Sequence, residues 1–538
     1  MKASDIFIKV LENHWVDTIF WVPGEENLDF INSMKDSSIK LILTRNEQTA
    51  VFMAATHWRL TGKIGVAIAT LWPWATNMMT GVAYAQLWWM PVMVITGQKP
   101  IKKSKQGLFQ IVDVVGMMQP LTQYSKTIVS GHMLPYMVNT AIKIAEEEKP
   151  WAVHIELPED IAAEEIDILA EDIPRIPYSR RPEIDEKMIS ILIDKIEKAT
   201  TPVILIGSAA NRKRVTKYIT KFIEKHNIPY FASQMWKGVV DWWEEQYLGT
   251  AALTENDYIH DILDKSDLII SVWYDSVEKP TQVICDWTTE VVHINFVNTS
   301  MDSVYSPSLE VVWDIWNTFW RLEESEINTT NWNFDEIYAM RKINKQKLIW
   351  NISLEDDREI MQPRRLVNDV RASLGNEDIL ALDNGLYKVW FARNYPAYTP
   401  NTILLDNALA TMWAWFPSAM EAKRLNPDKK VVCVTWDGWL VMNLWDLETL
   451  VRLKLDIVVV VLNNYNYWMI KWKQEWSWFD DYGLDFGNPD FVTLAQSFGG
   501  TWFRVENKND FKPTLEKSLQ MKGLVIIDLS FDYPQEIK

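Results

Sequence analysis

Glycine is scarce in this chain of 538 residues: 19 are present, where average usage of about 7% would place roughly 38. Cysteine is scarcer still. Cys285 and Cys433 are too few and too far apart for a disulfide framework or a zinc site, which fits a reducing cytosol. Positive charge is also in deficit, with 54 Lys and Arg against 72 Asp and Glu and a formal net charge of −18. So acidic a chain argues against nucleic acid or an anionic membrane as partner, because both demand a basic surface. The local cluster Lys102, Lys103 and Lys105 reads as a solvated loop. Long hydrophobic runs are missing too: the strongest, such as Ile457–Leu462, have the length of a strand and cannot span a bilayer. Met1–Asn13 reads as an amphipathic helix with scattered charges, not as a signal peptide. The expectation is a soluble, cytoplasmic protein. What the chain has in excess is tryptophan, 29 in all.

A chain of this length exceeds one hydrophobic core, so about three domains are expected. Short β-branched runs alternate with helix-period segments: Lys40–Leu43, Ile64–Ala69 and Pro91–Ile95, then Val203–Ile206, Leu268–Val272 and Val291–Ile294, then Val431–Val434 and Ile457–Leu462. That alternation predicts βαβ units and parallel sheets. Glu171–Glu183 reads as a first linker and Glu323 to Arg365 as a second. The division is then three α/β domains with doubly wound parallel sheets, over 1–170, 185–340 and 360–538. No short-period repeat is visible.

The segment Lys429–Asn466 carries the most chemistry. A buried strand leads into Trp436-Asp437-Gly438, a helix-period stretch Leu440–Leu453 follows, and a second strand ends in Asn463-Asn464. Taken singly, each dipeptide is a plain turn. If the two strands are parallel neighbours, however, Asp437 and Asn464 emerge together at the carboxyl edge of the sheet, where α/β proteins bind ligands. A carboxylate, an amide oxygen and a main-chain carbonyl suit a Mg²⁺ that completes its shell with water and a polyphosphate. The helix opening at Gly438 offers backbone N–H groups to those phosphates.

Asp-Gly, roughly 24 intervening residues and Asn-Asn resemble the thiamine-diphosphate-binding motif of a family of three-domain enzymes. In these, pyrimidine- and diphosphate-binding domains flank a central Rossmann-like one. The resemblance implies Asp437 and Asn464 as side-chain ligands of Mg²⁺, with Asn466 giving its main-chain oxygen and Gly438 and Met469 close to the cofactor. Val22-Pro23-Gly24-Glu25 and Leu43-Thr44-Arg45-Asn46-Glu47-Gln48-Thr49-Ala50 are similar to the pyrimidine-binding domain of the acetolactate synthase group. Gly24 and Glu47 are implied as cofactor contacts, with Glu47 at the end of a strand. A glutamate bonded to the aminopyrimidine favours the tautomer that takes the proton from the reactive thiazolium carbon. Alone, a Glu in that place reads as a helix N-terminal charge.

The resemblance extends through Arg59–Gly62, Gly81–Ala85, Pro91–Gly97, Gln119-Pro120, His154–Asp160 and Asn407–Ala422. It implies active-site roles for Phe109 and Gln110, and a bulky support for the bent cofactor at Met412, although a Met in an apolar segment is ordinarily core. Tyr467, Met469, Lys471 and Trp472 look more like the catabolic, flavin-free members, and Lys473 stands where biosynthetic ones usually have Trp. Gly207-Ser208-Ala209-Ala210 lacks the clustered glycines that a flavin pyrophosphate requires, which weighs against FAD without closing the question. Tyr387 replaces the His usual near the diphosphate. The implied reaction joins pyruvate to a second pyruvate or to 2-oxobutyrate. The implied assembly is a homodimer or homotetramer with the active site between subunits. A regulatory subunit, and a biosynthetic or catabolic role, stay open. Another thiamine-dependent decarboxylase, oxidase or carboligase is the alternative.

Tryptophan stands at 16 positions where the family has glycine: Trp21, Trp58, Trp72, Trp74, Trp88, Trp89, Trp151, Trp236, Trp273, Trp313, Trp413, Trp415, Trp436, Trp439, Trp468 and Trp502. The set nearly matches the glycine deficit. An indole cannot cheaply adopt φ > 0 and fills space that backbone or cofactor needs. Three explanations stand. The literal polypeptide is a blocked, non-catalytic form; or these are UGA codons that the source reads as glycine and that appear here as Trp, with Trp390 and Trp472 encoded by UGG; or the set is an engineered exchange of glycine for tryptophan.

Overall fold

The computed structural model describes residues 1–102, 107, 109–168, 172–173, 182–207, 213–238, 245–251, 259–278, 289–300, 305–350 and 359–533. Lys103, Lys105, Cys285, Ser208–Ala210 and most of the first expected linker lie outside them. Among the described residues, no helix is long and apolar enough to cross a membrane.

Among the described residues, eighteen strands form three six-stranded sheets in which every strand pairing is parallel. The first holds β1 (Thr18–Trp21), β2 (Lys40–Leu43), β3 (Gly65–Ala69), β4 (Val92–Gln98), β5 (Tyr124–Thr127) and β6 (Ala152–Pro158), in the order β2-β1-β3-β4-β6-β5. The second holds β7 (Pro202–Ile206), β8 (Tyr230–Ala232), β9 (Tyr247–Thr250), β10 (Leu268–Val272), β11 (Glu290–Asn295) and β12 (Leu309–Val312). Its order, β12-β11-β10-β7-β8-β9, is that of a Rossmann-type sheet. The third holds β13 (Ile379–Leu382), β14 (Ile403–Leu404), β15 (Val431–Trp436), β16 (Ile457–Asn463), β17 (Thr501–Val505) and β18 (Leu524–Ser530). Its order, β14-β13-β15-β16-β18-β17, repeats that of the first. The duplication is one of topology, which a search for short sequence periods does not detect. Strands such as β16, Ile-Val-Val-Val-Val-Leu-Asn and buried through Leu462, are continuous apolar runs because helices cover both faces of a parallel sheet.

The chain divides into two compact units. The first contains the first sheet together with Phe416–Pro427 and Asn443–Leu455; the second contains the other two sheets.

In the first unit, the helix Glu47–Thr61 shows how local chemistry sets an element. Asn46 caps it by accepting from the Gln48 N–H, and Gly62, at φ +77°, ends it with its N–H on the Trp58 carbonyl. Glu47 therefore opens a helix and does not end a strand as expected: β2 has stopped at Leu43, and the cap at Asn46 starts the next element. The same helix carries His57, whose Nδ1 lies 2.8 Å from Glu421 Oε1. Glu421, fully buried, accepts from Arg424 Nε and Nη2 at 2.7 Å each. Removing the carboxylate leaves a mostly buried guanidinium unpaired, so Glu421→Ala is expected to destabilise the protein by about 3–5 kcal/mol, read by denaturant unfolding.

Two other expectations change. The stretch Glu323 to Arg365 is no plain linker, for it contains the helix Asp335–Trp350. Ile337 in that helix is fully buried, with Phe334 and Met340 beside it in the core of the second sheet. Many of the charges that suggested a linker are polar residues of this helix, which holds one of the asparagines, Asn344. The helical stretch Leu440–Leu453 divides into Asp437–Val441 and Asp446–Arg452, and its parts fall in different units.

Candidate cofactor site

Ligands of open parallel sheets sit where strand order reverses. In the third sheet that point lies between β13 and β15. β15 runs into the helix Asp437–Val441 with Trp436 at the N-cap, and β13 is followed by Asp383-Asn384-Gly385 and the helix Leu386–Asn394. On the other flank, β16 pairs in parallel with β15, Trp436 opposite Leu462. Asn463 and Asn464 thus leave the sheet at the level of Asp437, as the spacing predicted.

Asp437 is fully buried. Its Oδ2 accepts from the N–H groups of Asn464 (3.1 Å) and Tyr465 (2.7 Å) and from Asn488 Nδ2 (2.8 Å), and its Oδ1 accepts from the Gly438 N–H (2.8 Å). Burial nevertheless raises its pKa from the ordinary aspartate value. Asn464 therefore meets Asp437 through its main chain, while its side-chain oxygen lies 3.4 Å from the Asn466 N–H. Among the described residues, the buried Oδ1 atoms of Asn466 and Asn488 have no hydrogen-bond partner. Nor does any group of three His, Cys, Asp or Glu converge there to hold a metal. A cation at this place would have one carboxylate and several neutral oxygens, a donor set that fits Mg²⁺ better than zinc or copper.

A cavity of about 360 Å³ opens beside Asp437. Five residues expected at the site line it: Met412, Asp437, Gly438, Asn466 and Met469. Asn464 does not; its N–H meets the Asp437 carboxylate. Sequence reasoning missed Asn384, Gly385, Lys388 and Asn407 in the wall. An Asn-Gly directly after a strand was the available signal for the first two. Asn488, 51 residues beyond Asp437 in the chain, gave none. Lys388 donates to Asn384 Oδ1 and to the Asp406 carbonyl at 2.6 Å each. Tyr387 is turned away into the core, its hydroxyl donating to the Val434 carbonyl at 2.7 Å with the Asp383 carbonyl 2.9 Å away as the alternative acceptor.

The indole of Trp436 stands in front of Gly385. That glycine has φ +127°, and a Cβ on it would lie 2.3 Å from Trp436 Nε1 and 3.2 Å from Trp439 Cη2. The donor set therefore suits a metal-bound diphosphate, while two indoles occupy space at the switch point.

The remaining candidates belong to the first unit. Glu47, 4% exposed, accepts from Asn77 Nδ2 at 3.0 Å. Behind it Thr49 donates to the buried carboxylate of Asp446, which also accepts from the Arg45 N–H at 3.1 Å. Gly24 follows β1 and faces the residue after β3, so that a Cβ on it would strike the Thr70 side chain. The pair marks the switch point of the first sheet, as Gly385 and Trp436 mark that of the third. Phe109 is 64% exposed, and Gln110 next to it has φ +56°.

Three models described as thiamine pyrophosphate enzyme domains match the chain in order: the N-terminal TPP-binding domain over residues 1–117, the central domain over 189–322 and the C-terminal TPP-binding domain over 383–529. Relatives are similar over the full length. The chain is 27% identical to an acetolactate synthase of Bacillus subtilis (strain 168), covering 100% of this chain and 94% of that one. It is 28% identical to a probable acetolactate synthase large subunit of Methanococcus aeolicus, at 99% and 92% coverage, and 28% identical to the catabolic acetolactate synthase of Raoultella terrigena, at 99% and 95%. With three matched domains on three sheets of the expected kind, the chain belongs to the thiamine pyrophosphate enzyme family.

Proposed function

We propose that this protein is an acetolactate synthase, condensing pyruvate with a second pyruvate or with 2-oxobutyrate to a 2-aceto-2-hydroxy acid with loss of CO₂. The observation that carries the reading is the switch-point cavity, where buried Asp437 and Asn466, whose side-chain oxygen has no partner among the described residues, share a wall with Met412. Full-length similarity to acetolactate synthases supports it. Thiamine diphosphate, when bound, supplies a thiazolium carbon that adds to the 2-oxo acid and holds the electrons left by decarboxylation. Asp437, Asn464 and Asn466 would hold Mg²⁺, and the metal would bind the diphosphate. Gly438, Met469 and Met412 would support the cofactor and Gly24 would admit its pyrimidine. Glu47 would bond the pyrimidine nitrogen and carry its proton, while Phe109 and Gln110 would face the substrate. The domains of this reading are 1–170, 185–340 and 360–538. Its assembly is a homodimer or homotetramer in the cytoplasm, with Glu47 of one subunit serving the metal site of another.

Incubation of the purified protein with pyruvate, Mg²⁺ and thiamine diphosphate is expected to yield acetolactate and CO₂. Acetaldehyde or acetyl phosphate in its place would mean another thiamine-dependent reaction. Chelation of divalent ions is expected to abolish turnover and added Mg²⁺ to restore it, since metal and diphosphate bind together. A second reading, that the literal polypeptide is blocked, is favoured by the Trp436 indole in front of Gly385. Calorimetric titration with thiamine diphosphate and Mg²⁺ separates the two: saturable binding to the Trp436 protein counts against blockage, whereas binding that appears only in W436G establishes it.

A further inference from the structure

Among the described residues, ten other than glycine have positive φ, and four of them are tryptophans: Trp15 (+61°), Trp89 (+52°), Trp273 (+51°) and Trp478 (+60°). Since Trp makes up only 29 of 538 residues, chance does not place four there. Three follow one pattern. The helix Ala3–Asn13 is capped by His14 and followed by Trp15; Met79–Leu87 by Trp88 and then Trp89; Trp468–Trp476 by Ser477 and then Trp478. Each is the residue just past the C-cap, and each returns its N–H to the last turn, to the carbonyls of Glu12, Gln86 and Glu475 respectively. Left-handed backbone at that position is the usual end of a helix, and it selects glycine because any Cβ is strained there. Trp15 and Trp478 are 79% and 95% exposed, so no packing compensates for the strain.

Other indoles fit their surroundings as poorly. Trp88, Trp236 and Trp439 bury an Nε1–H that has no hydrogen-bond partner among the described residues, although a buried Trp ordinarily finds one. Elsewhere tryptophan behaves normally. Trp332 donates to the Ile196 carbonyl at 3.2 Å, Trp316 stacks on Trp320 with centroids 6.1 Å apart, and Trp390 lies under the Arg364 guanidinium at 5.2 Å. Ring contacts alone do not separate the Trp, since Trp89, Trp273 and Trp436 also meet a cation or another ring; left-handed backbone and a stranded Nε1–H do.

We infer that the functional polypeptide carries glycine at Trp15 and Trp478, which the family resemblance does not single out, as well as at Trp89, Trp273 and Trp436. The corresponding codons are UGA read as glycine. At 436 the exchange removes the indole in front of Gly385 and gives the switch point two facing glycines that a diphosphate can approach through backbone. Only this last consequence rests on the cofactor reading. The helix-end positions stand without it, so the two can fail separately.

The gene and the protein from its own source provide the test. UGA is expected at 15, 89, 273, 436 and 478, UGG at 316, 332 and 390, and tryptic peptides from the source cells should carry glycine masses at the first group. UGG codons at 15 and 478, or tryptophan masses there, overturn the inference. The Trp-containing protein gives an independent reading by thermal melting. W478G is expected to raise Tm by about 1 °C, and W478A, which keeps a Cβ at positive φ, to fall well short of it. Equal melting of W478G and W478A, or a fall in W478G, counts against glycine at that helix end.

Discussion

Asp437→Ala is expected to remove Mg²⁺-dependent binding of thiamine diphosphate, with a loss in affinity beyond about 100-fold, because even outer-shell partners of a metal cost 10–100-fold when changed. Measured in the chain with glycine at 436, the loss should appear in calorimetry as well as in pyruvate turnover. The same carboxylate accepts from Asn464, Tyr465, Asn488 and Gly438, so alanine also strands buried donors at about 1–3 kcal/mol each. Asp437→Asn distinguishes the two effects. It keeps one acceptor for the three donors on Oδ2, sets its NH2 against the Gly438 N–H and removes the charge, so it should lose less stability than alanine and still fail to bind. Unimpaired Mg²⁺-dependent binding in a well-folded Asp437→Asn protein would remove Asp437 from the metal site.

Glu47→Gln should act on rate and leave affinity nearly alone. A positioned carboxylate that moves a proton contributes about 10²–10⁴-fold, or roughly 3–5 kcal/mol of barrier, and the amide cannot replace it. Gln can still accept from Asn77, whose Nδ2 lies 3.0 Å from the Glu47 carboxylate, so the helix start should survive. The expected pattern is a collapse of kcat and of hydrogen exchange at the thiazolium carbon, read by NMR of the bound cofactor, with binding of thiamine diphosphate within a few-fold of the parent. Full exchange in the variant would assign the proton transfer to another group.

Much of this site is legible in the sequence because its parts are local. Asp437-Gly438 and Asn463-Asn464 are strand ends separated by one crossover, and parallel strands that start level finish level. The register Trp436 to Leu462 is the direct result. Asn488 is invisible in the sequence because it arrives from a loop whose path no period encodes, and Asn384 and Gly385 because a post-strand Asn-Gly reads first as a turn. Glu47 stands out by its motif, yet the motif puts it at a strand end and the fold puts it at a helix start. The Asn46 cap that starts this helix is a local signal, and the family pattern masks it. The unexpected helix Asp335–Trp350 has the same kind of cause: its charges and the asparagines around it suggest a loop, and burial of Ile337, a tertiary contact, outweighs them.

Taken alone, the amino-acid order determined the α/β class, the run of parallel strands, the residues of the metal motif and the improbability of so many tryptophans, since each is written in neighbouring residues or in composition. Only the folded chain decided that the first and third sheets share one strand order, that Asn466 and Asn488 leave buried oxygens free near Asp437, and that Trp15 and Trp478 sit where a backbone turns left-handed. Those outcomes depend on which distant segments come to lie side by side and on dihedral angles imposed by the whole, and neither quantity is a property of a short stretch of chain.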